Sequence, residues 1–480
     1  MEEERRKKKI VIAGGGPAGL TAAYMSCQRG LVPLVFEKGK EVGGISKTVS
    51  YQDYLFDIGG HRFFTKYDEV KEVWDEILGE DFITRPRLSR IYYNGKFYNY
   101  PLRPLNALRN LGLLSSIEVL ASYFFSQLCP YTQVTNFEEW VSNKFGKKLF
   151  RIFFKTYTEK VWGMPCTEIQ ADWAAQRIKS LSLLKAVLSA FGFLRKGQVT
   201  TLIDSFNYPR RGPGQMWNAA REKVQNKGGK VKLMAEVLRF NRNCNTINSL
   251  TVRNNGHVEV ISGDYFLSSL PLKELILSLD PPPPPEVREA ARGLRYRDFF
   301  SVNLIINKPF IFEDNWIYIH SPEVRVGRIQ NFKNWSPEMV PDPKTTSLGL
   351  EYFCFDTDEI WNWEDKDILN LGIEEAEKLN FISKNDVIDG FVVRSAKTYP
   401  IYDRDYKERV EKIRCYLSSF TNLQTMGRNG LHRYNNQDHS MLSAMIAIGN
   451  VLGEEGSVWD INVDDEYHEI RIKKIGEGEK

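Results

Sequence analysis

The sequence predicts an α/β fold in which a doubly wound parallel sheet stands beside a helical lobe and a mixed β-sheet. The first observation is the short apolar run from Lys8 to Ala13, which a glycine-rich turn follows. The second is helical periodicity between about residues 105 and 200, and the third is a series of aromatic-rich strand patterns between about 297 and 356. With 480 residues and a hydrophobic fraction of 42%, the chain is long enough for two or three lobes.

The first unit reads as strand, turn, helix and strand. "KIVIAG" is typical of a buried parallel strand, and the residues from Gly14 to Gly30 predict a turn and a helix. The segment from Leu31 to Glu37 predicts the second strand. This order indicates the beginning of a doubly wound sheet.

The middle of the chain predicts helices. Asn136 with Glu139 three residues later resembles a capping box at a helix N-terminus. Two apolar stretches, Leu111 to Pro130 and Leu181 to Leu194, are interrupted by polar residues or are too short to cross a membrane. We interpret both as amphipathic helices; contact of one of them with a membrane surface is the less favoured alternative.

Strand patterns dominate the second half. The alternating run from Val231 to Val237 predicts one strand, and Asn255 with Gly256 predicts a hairpin turn between two further strands. "YFLSSLPL" predicts another strand. The run from Pro281 to Pro285 predicts a stiff connector at a lobe boundary, and a last strand-to-helix unit begins near residue 423.

Composition excludes several classes of protein. The 65 basic and 61 acidic residues nearly balance, which gives no support for nucleic-acid binding. The six cysteines are scattered without a CxxC pair, as expected for reduced thiols in a cytosolic protein without structural zinc. The N-terminus has no signal-peptide pattern, so we expect a cytoplasmic protein.

A dinucleotide fingerprint lies between the first strand and the first helix. Gly14, Gly16 and Gly19 form GxGxxG, which permits a tight turn, close approach of a pyrophosphate, and close packing of helix on strand. Glu37, at the end of the second strand, can accept hydrogen bonds from ribose hydroxyls. The sequence therefore predicts a Rossmann-type site for FAD or NAD.

A second glycine pair favours FAD. Gly43 and Gly44 follow Glu37 in the pattern ExxxxxGG, which permits another close backbone approach to the pyrophosphate. Gly59 and Gly60 precede His61 in "FDIGGHRFFT", a combination suited to close contact with a large planar ring. We interpret His61 as a neighbour of the flavin; a purely structural histidine is the alternative.

Six longer segments follow one another along the chain: "GGHRFFT", "YYNGKFYNYPL", "YTEKVWGMPCTEIQADW", "FNYPRRGPGQMW", "VGRIQNFKNWSP" and "GRNGLHRYNNQDHSM". In this order they resemble UDP-galactopyranose mutases, the last three more like the eukaryotic branch. The resemblance covers about residues 8 to 455. It implies the superfamily that also includes flavin amine oxidases, protoporphyrinogen oxidases and carotenoid desaturases.

The resemblance implies a division of the chain. Residues 1–100, 201–280 and 415–460 are expected to form the FAD-binding domain, and 101–200 a helical substrate or lid lobe. Residues 281–414 are expected to form a β-sheet substrate domain, and 461–480 a C-terminal tail.

The resemblance also implies roles for single residues. Arg211 and Arg328 would bind the substrate diphosphate, for which guanidinium groups are suited. Tyr434 and, less strongly, Tyr399 would offer hydroxyls to the substrate phosphates, while Tyr157 and Trp162 would shape the nucleotide end of the pocket. With His61, those implied to be catalytic are Arg211, Arg328 and Tyr434. The residues implied to hold FAD are Gly14, Gly16, Pro17, Ala18, Gly19, Glu37, Lys38, Gly43, Gly44, Gly60, His61, Val237, Arg428, Asn436, Gln437 and Asp438.

One segment departs from the eukaryotic-type pattern. Where those mutases have a second diphosphate arginine, this chain has Asn307, Lys308 and Pro309. Lys308 can supply charge but not a bidentate contact, which leaves the identity of the nucleotide sugar open.

Two enzyme functions follow from the resemblance. The first is a mutase of cell-surface polysaccharide biosynthesis that interconverts pyranose and furanose forms of a UDP-sugar through an adduct at N5 of reduced FAD. The alternative is an oxidoreductase in which oxidised FAD takes hydride from an amine, a porphyrinogen or a polyprenoid lipid. A non-enzymatic scaffold is disfavoured because the flavin motifs are kept together. The chain has no second dinucleotide fingerprint, so an external reductant such as NAD(P)H would have to dock on the same face or transfer electrons without a Rossmann lobe of its own.

Overall fold

The computed structural model describes residues 8–171, 201–202, 204–462 and 470–471. Its strands are β1 (Lys9–Ala13), β2 (Val32–Phe36), β3 (Thr48–Tyr51), β4 (Tyr54–Asp57), β5 (Phe82–Pro86), β6 (Ser89–Tyr93), β7 (Lys96–Asn99), β8 (Thr201–Leu202), β9 (Ser205–Pro209), β10 (Lys230–Lys232), β11 (Ala235–Asn243), β12 (Thr246–Asn254), β13 (His257–Ser262), β14 (Tyr265–Ser268), β15 (Leu279–Asp280), β16 (Tyr296–Ile306), β17 (Trp316–Ile319), β18 (Arg328–Asn331), β19 (Thr346–Cys354), β20 (Val387–Pro400), β21 (Leu423–Thr425) and β22 (Ile470–Arg471). Its α-helices are α1 (Pro17–Gln28), α2 (Asp68–Leu78), α3 (Pro104–Leu111), α4 (Leu113–Leu128), α5 (Phe137–Phe145), α6 (Lys147–Phe150), α7 (Thr156–Trp162), α8 (Pro213–Asn226), α9 (Leu272–Leu277), α10 (Pro285–Gly293), α11 (Phe332–Trp335), α12 (Asp365–Lys378), α13 (Tyr406–Leu417), α14 (Gly427–Gly430) and α15 (Gln437–Val451).

A parallel sheet confirms the predicted doubly wound unit. Its strands run in the order β10-β2-β1-β14-β21, and every pair is parallel. Strand β1 is apolar from Ile10 to Ala13 because both of its faces are covered. Ile10 and Ile12 pack in a core with α1, α8 and α15, whereas Val11 and Ala13 pack in the core on the opposite face.

The strand predicted from Val231 to Val237 is in fact two strands. Strand β10 ends at Lys232 as the edge of the parallel sheet, and β11 begins at Ala235 in a four-stranded sheet, where it pairs antiparallel with β12 and parallel with β15. Met234 has a φ of 53° between them. Alternation of side chains cannot reveal such a change of sheet. The predicted hairpin is confirmed, since β12 pairs with β13 around Asn255 and Gly256.

A seven-stranded mixed sheet forms the predicted β-sheet region. Its order is β20-β16-β19-β18-β17-β6-β7, and only β17 with β6 is parallel among these pairs. Strand β16 is buried along all of its residues, from Tyr296 to Ile306. Because β6 and β7 come from the first hundred residues and β21 returns to the parallel sheet, the described chain passes four times from one of the two large sheets to the other.

Helices α3 to α7 confirm the helical lobe up to residue 171. The capping at Asn136 is confirmed in part, because its side chain accepts from the Glu139 backbone N–H at 3.0 Å. Helix α4 corresponds to the first predicted amphipathic helix, and the second, Leu181 to Leu194, lies outside the described residues. Within the described parts of the chain, no helix is long and apolar enough to cross a membrane.

The proline run is only partly a connector. Pro285 is the first residue of α10, where its missing N–H costs no hydrogen bond, so the connector predicted to reach Pro285 ends at Pro284. Val287 and Ala291 of α10 pack in the same core as Val11 of β1. That core continues past the proline run, while the division into domains at the residue numbers given above stays a prediction.

Candidate active site

The GxGxxG turn has the close contacts that the fingerprint requires. A Cβ on Gly19 would lie 1.9 Å from the Gly14 carbonyl oxygen, so only glycine lets α1 pack on this turn. Gly14 has a φ of 101°, and a Cβ there would lie 2.3 Å from Oγ of Ser269. Pro17 and Ala18 open α1, directing the free N–H groups of its first turn at the same space.

The second glycine pair folds onto the first. The Gly43 N–H donates to the Gly15 carbonyl at 2.9 Å. A Cβ added to Gly44 would lie 3.4 Å from Cα of Gly16, so the two glycine turns lie face to face. This arrangement is a cradle of bare backbone, suited to the pyrophosphate of a dinucleotide.

Glu37 is oriented by backbone donors. Its carboxylate accepts from the N–H groups of Gly15 and Gly39, each at 2.7 Å. A carboxylate has about four acceptor positions, so two remain for ribose hydroxyls. Lys38 next to it is exposed, and Val237 lies on β11, whose first residue donates to the Glu37 carbonyl. Glu37, Lys38 and Val237 thus share one end of the parallel sheet.

A cavity of about 1520 Å³ begins at this cradle and extends under the mixed sheet and the helical lobe. Sites for one small ligand typically occupy about 300 to 1000 Å³, so the volume can hold a dinucleotide together with a substrate. The predicted residues that line it are Gly16, Pro17, Ala18, Gly44, Gly60, His61, Tyr157, Trp162, Arg328, Tyr399, Arg428, Tyr434, Asn436, Gln437 and Asp438.

Arg328 is held by a carboxylate beneath the cavity wall. Its Nε donates to Oε2 of Glu351 at 2.7 Å, and Gln330 donates to Oε1 of the same group at 2.7 Å. Burial alone would lower the pKa of Arg328, but the negative charge of Glu351 raises it well above its usual value. A Cβ on Gly60 would lie 2.9 Å from Gln330, which shows how closely the segment before His61 approaches this group.

His61 is neutral at physiological pH. Desolvation lowers its pKa to about 4, although Nε2 donates to the Ile58 carbonyl at 2.7 Å; Arg428 and Arg328 lower it further. A neutral imidazole on the cavity wall suits the predicted position beside a flavin. The prediction that it contacts the flavin is untested.

The segment "YTEKVWG" ends a helix against the mixed sheet. A π-helical turn, Arg151–Lys155, precedes α7, and Gly163 then takes a φ of 64°. Arg297 of β16 donates to the carbonyls of Lys160, Val161 and Phe353, and so caps this helix end. The capping fixes α7, and with it the side chains that face the cavity.

Tyr157 and Trp162, the two predicted substrate residues of α7, stack on separate partners. The Tyr157 ring lies parallel to His320, with centroids 4.9 Å apart. Trp162 stacks on Tyr402 with centroids 6.2 Å apart. Flat, buried aromatic surfaces of this kind are suited to enclosing a planar base.

Arg428, Tyr434 and Tyr399 form one stack between the cofactor cradle and the aromatic walls. The guanidinium of Arg428 lies 4.1 Å from the Tyr434 ring centroid, and Tyr434 stacks on Tyr399 at 5.5 Å. Among the described residues, the buried Nε of Arg428 has no hydrogen-bond partner. A donor in that situation fits an anionic oxygen, as expected for the pyrophosphate of FAD.

The start of α15 closes the cavity on the cofactor side. Asn436 caps the helix together with His439, and Gln437 accepts from the indole N–H of Trp217 at 3.1 Å. Asp438 is buried. Gly427 touches Ala18 so closely that a Cβ would lie 2.9 Å from it, which brings this segment against the start of α1.

Two predicted cations do not reach the cavity. Arg211 is exposed at the turn before α8 and is not among the described lining residues, so the structure does not support its diphosphate role. Lys308 pairs with Asp386 at 2.6 Å, at the far end of β16 from Arg297, and is likewise absent from the described lining. Local sequence could not show which way these side chains point.

Several residues that shape the site were not predicted. Glu351, Gln330 and Arg297 act through strand pairings that connect distant parts of the chain. His320 is buried, and desolvation lowers its pKa to about 3, with the nearby charge of Lys160 adding to the effect. Lys160, in "YTEKVWG", donates to the carbonyls of Ile319, Ser321 and Val326. In the sequence, only the position of Lys160 within one of the segments that resemble the mutases pointed to this residue.

A comparison with known protein families identifies the family of this chain. The model described as "flavin containing amine oxidoreductase" matches residues 17–403, which is most of the chain. The chain belongs to the flavin-containing amine oxidoreductase family. A flavin is therefore its cofactor, and the family is one of flavin-dependent enzymes.

Two curated relatives in this family match over part of their length. A probable flavin-containing monoamine oxidase A of Dictyostelium discoideum is 32% identical over 111 residues, covering 21% of this chain and 23% of the relative. An L-amino-acid oxidase of Sistrurus catenatus edwardsii is 23% identical over 339 residues, covering 63% of this chain and 58% of the relative. The chain thus spans less than two thirds of either relative.

Solved structures match along nearly the whole chain. A reduced UDP-galactopyranose mutase superposes with a TM-score of 0.81 at 23% identity, covering 94% of this chain and 97% of the other. A putative protoporphyrinogen oxidase from Exiguobacterium sp. superposes with a TM-score of 0.69 at 16% identity, covering 93% and 99%. These likenesses confirm the α/β fold, and the family match confirms the predicted superfamily.

Proposed function

We propose that this protein is an FAD-dependent mutase that interconverts the pyranose and furanose forms of a UDP-sugar. The observation that carries the proposal is the cationic wall of the cavity beside the cofactor cradle. The resemblance in fold to a UDP-galactopyranose mutase supports the same reading. The cations that line the cavity are Arg62, Arg87, Arg90, Arg103, Arg328, Lys407, Arg428 and Arg433.

The charge balance favours an anionic substrate. Asp204, Glu411 and Asp438 are the described carboxylates of the lining. Asp314 and Glu351 lie behind it and pair with Arg90 and Arg328. Even with these two included, eight cations face five carboxylates. With Arg428 assigned to the cofactor pyrophosphate, seven cations remain for the rest of the cavity, which favours a nucleotide diphosphate over a protonated amine.

Arg328 is the residue best placed to neutralise a leaving diphosphate. Glu351 fixes its guanidinium without filling the cavity, and because the Arg328 side chain is only 17% exposed, its charge acts in a medium of low dielectric constant. Tyr399 and Tyr434 stack on each other, and the guanidinium of Arg428 lies over the Tyr434 ring. Desolvation raises the pKa of Tyr399, so its hydroxyl stays protonated and can donate to a phosphate oxygen.

The remaining chemistry belongs to the cofactor. A bound reduced flavin supplies the nucleophile at the anomeric carbon, so the protein needs no nucleophilic side chain of its own. The contribution of Tyr157 and Trp162 is to enclose the nucleotide end by stacking and to exclude water. An external reductant such as NAD(P)H would keep the flavin reduced.

The second candidate is an oxidoreductase that takes hydride into oxidised FAD. The family match and the names of the two curated relatives favour it. Its substrate would be an amine, a porphyrinogen or a polyprenoid lipid. The cationic lining disfavours a simple amine and is compatible with a substrate that carries carboxylates or phosphates.

Anaerobic product analysis separates the candidates. The flavin-loaded protein is incubated with UDP-galactofuranose after dithionite reduction and, in parallel, with its flavin oxidised, and UDP-galactopyranose is measured by chromatography. We expect conversion only with the reduced protein. Absence of conversion by protein whose flavin is intact and reducible contradicts the mutase with this sugar. Bleaching of the oxidised flavin by an amine, an amino acid or a porphyrinogen then supports the oxidoreductase.

A further inference from the structure

Helix α4 turns its exposed leucines, isoleucine and phenylalanines toward solvent, and buries two serines, a valine and a tyrosine against the protein. Leu113, Leu114 and Leu128 are each at least 78% exposed, and Phe125 is 63% exposed. Four residues face the lobe, namely Ser116, Val119, Tyr123 and Ser126. The large apolar residues of the exposed face, here named the α4 stripe, are Leu113, Leu114, Ile117, Phe124, Phe125 and Leu128.

The orientation of α4 is fixed by specific contacts. Ser116 Oγ donates to the Leu108 carbonyl at 2.9 Å, and the Lys148 N–H donates to Ser122 Oγ at 3.0 Å. A Cβ on Gly146 would lie 2.8 Å from the backbone of Tyr123, so the two backbones are in direct contact. Rotating the helix to bury its leucines would break all of these contacts.

The α4 stripe is continuous along the helix. Its members recur at intervals of three, four and seven residues, which places them on one face. A helix of 16 residues is about 24 Å long. Single exposed apolar residues are ordinary, whereas a contiguous apolar face of this length indicates a contact surface.

Positive charge flanks the α4 stripe. Arg109 lies on α3, just before the N-terminal end of α4. Tyr131 lies three residues beyond the C-terminal end of α4, and Nζ of Lys147 lies 4.9 Å from the centroid of its ring. Residues 101–156 hold seven basic residues (Arg103, Arg109, Lys144, Lys147, Lys148, Arg151 and Lys155) and three acidic ones (Glu118, Glu138 and Glu139).

This combination of apolar and basic residues indicates the occupant. We propose that α4 lies in the headgroup region of an anionic phospholipid bilayer, with the α4 stripe inserted and the flanking cations on lipid phosphates. A second copy docked through the same face would bring two positive lobes together, which electrostatic repulsion disfavours. The inference is independent of the reaction proposed above.

Vesicle flotation tests the proposal. The flavin-loaded full-length protein is floated at low salt with vesicles of phosphatidylcholine alone or of phosphatidylcholine with phosphatidylglycerol. We expect flotation with the anionic vesicles, and at least about a tenfold loss of partitioning for the double variant Leu114→Gln/Phe125→Gln. The matched control Val258→Gln/Val260→Gln replaces residues of β13 that are 61% and 68% exposed, and it should bind as the parent does. Flavin absorbance and thermal unfolding check that both variants are folded.

Two further experiments test the contribution of charge and the alternative of self-association. Arg109→Gln/Lys147→Gln should weaken binding to the anionic vesicles and flatten its dependence on salt. The proposal is overturned if the parent floats with neither vesicle, or if the α4 double variant floats as well as the parent. It is also overturned if light scattering shows a dimer that this variant converts to a monomer while the parent ignores lipid, because a second copy then covers the face.

Discussion

At the scale of single residues, the site depends on partners far away in the chain. Arg328 was predicted, whereas Glu351, which orients it, was not. The two residues are register partners of β18 and β19, and nothing in either local segment reveals that pairing. Glycine positions were predictable because a glycine fingerprint reports a local backbone requirement. Side-chain direction was not, as Arg211 and Lys308 show.

Glu351 is predicted to stabilise the native state through Arg328. Replacing Glu351 by Gln leaves the guanidinium buried without a counter-charge, and we expect the free energy of unfolding to fall by about 3 kcal/mol. Urea unfolding measures the change. Glu236→Gln, which breaks the exposed pair with Arg253, is the matched control and should cost less than about 0.5 kcal/mol. Equal effects of the two substitutions would show that the pair beneath the cavity has no special role.

His320 is predicted to weaken the fold on acidification. Burial lowers its pKa from 6.5 to about 3, so below pH 6.5 the unfolded chain binds a proton that the native state does not. Stability from this residue is therefore complete above pH 6.5 and falls by up to about 1.4 kcal/mol per pH unit on acidification towards pH 3. His320→Asn should flatten the dependence of unfolding free energy on pH between 6.5 and 4.5 by about one proton. An unchanged slope would mean that the native imidazole titrates normally.

At the scale of elements, the sequence indicates where a helix ends but not which contacts stabilise that end. Gly163, at a φ of 64°, ends α7, as glycine commonly does at a helix C-terminus. The contact that stabilises this end, the guanidinium of Arg297 against the last carbonyls, comes from β16. In the same way, the alternating run from Val231 to Val237 predicts strand but cannot show that two sheets share it. Local periodicity indicates whether a segment is helix or strand, whereas tertiary pairing determines where one strand ends and the next begins.

Gly163→Ala is predicted to destabilise the protein more than an ordinary glycine substitution at a helix end. A Cβ there would lie 2.3 Å from Cζ of Arg297 and displace the cap. We expect a loss of about 3 kcal/mol in unfolding free energy. Gly30→Ala, after α1 at a φ of 76° with open space around it, should lose only about 1 kcal/mol. Equal losses in thermal or urea unfolding would refute the capping by Arg297.

At the scale of the whole molecule, the cavity joins three parts of the chain. The cradle comes from the parallel sheet, the cationic and aromatic walls come from the mixed sheet and the helical lobe, and Arg428 joins them through its stack. Motif order predicted the family correctly. The charge of the cavity could not be predicted, because it depends on which arginines face inward.

Arg428 is predicted to bind the cofactor through its buried Nε. Arg428→Leu removes one charge-assisted hydrogen bond, so FAD affinity should fall about ten- to a hundredfold. Flavin fluorescence during titration of the apoprotein measures the dissociation constant. Arg404→Leu, at an exposed position before α13, is the control and should leave it unchanged. Unaltered affinity in the Arg428 variant would remove this residue from the cofactor site.

The central claim is that the cavity is an anion site in which Arg328 binds the substrate diphosphate. Calorimetric titration of UDP into the flavin-loaded parent and into Arg328→Lys tests it most directly, with Arg253→Lys as the exposed control. The account predicts saturable binding to the parent and the control, and a dissociation constant about tenfold or more higher for Arg328→Lys, because lysine cannot form the bidentate contact. No binding of UDP to the parent, or equal binding to all three proteins, would contradict it.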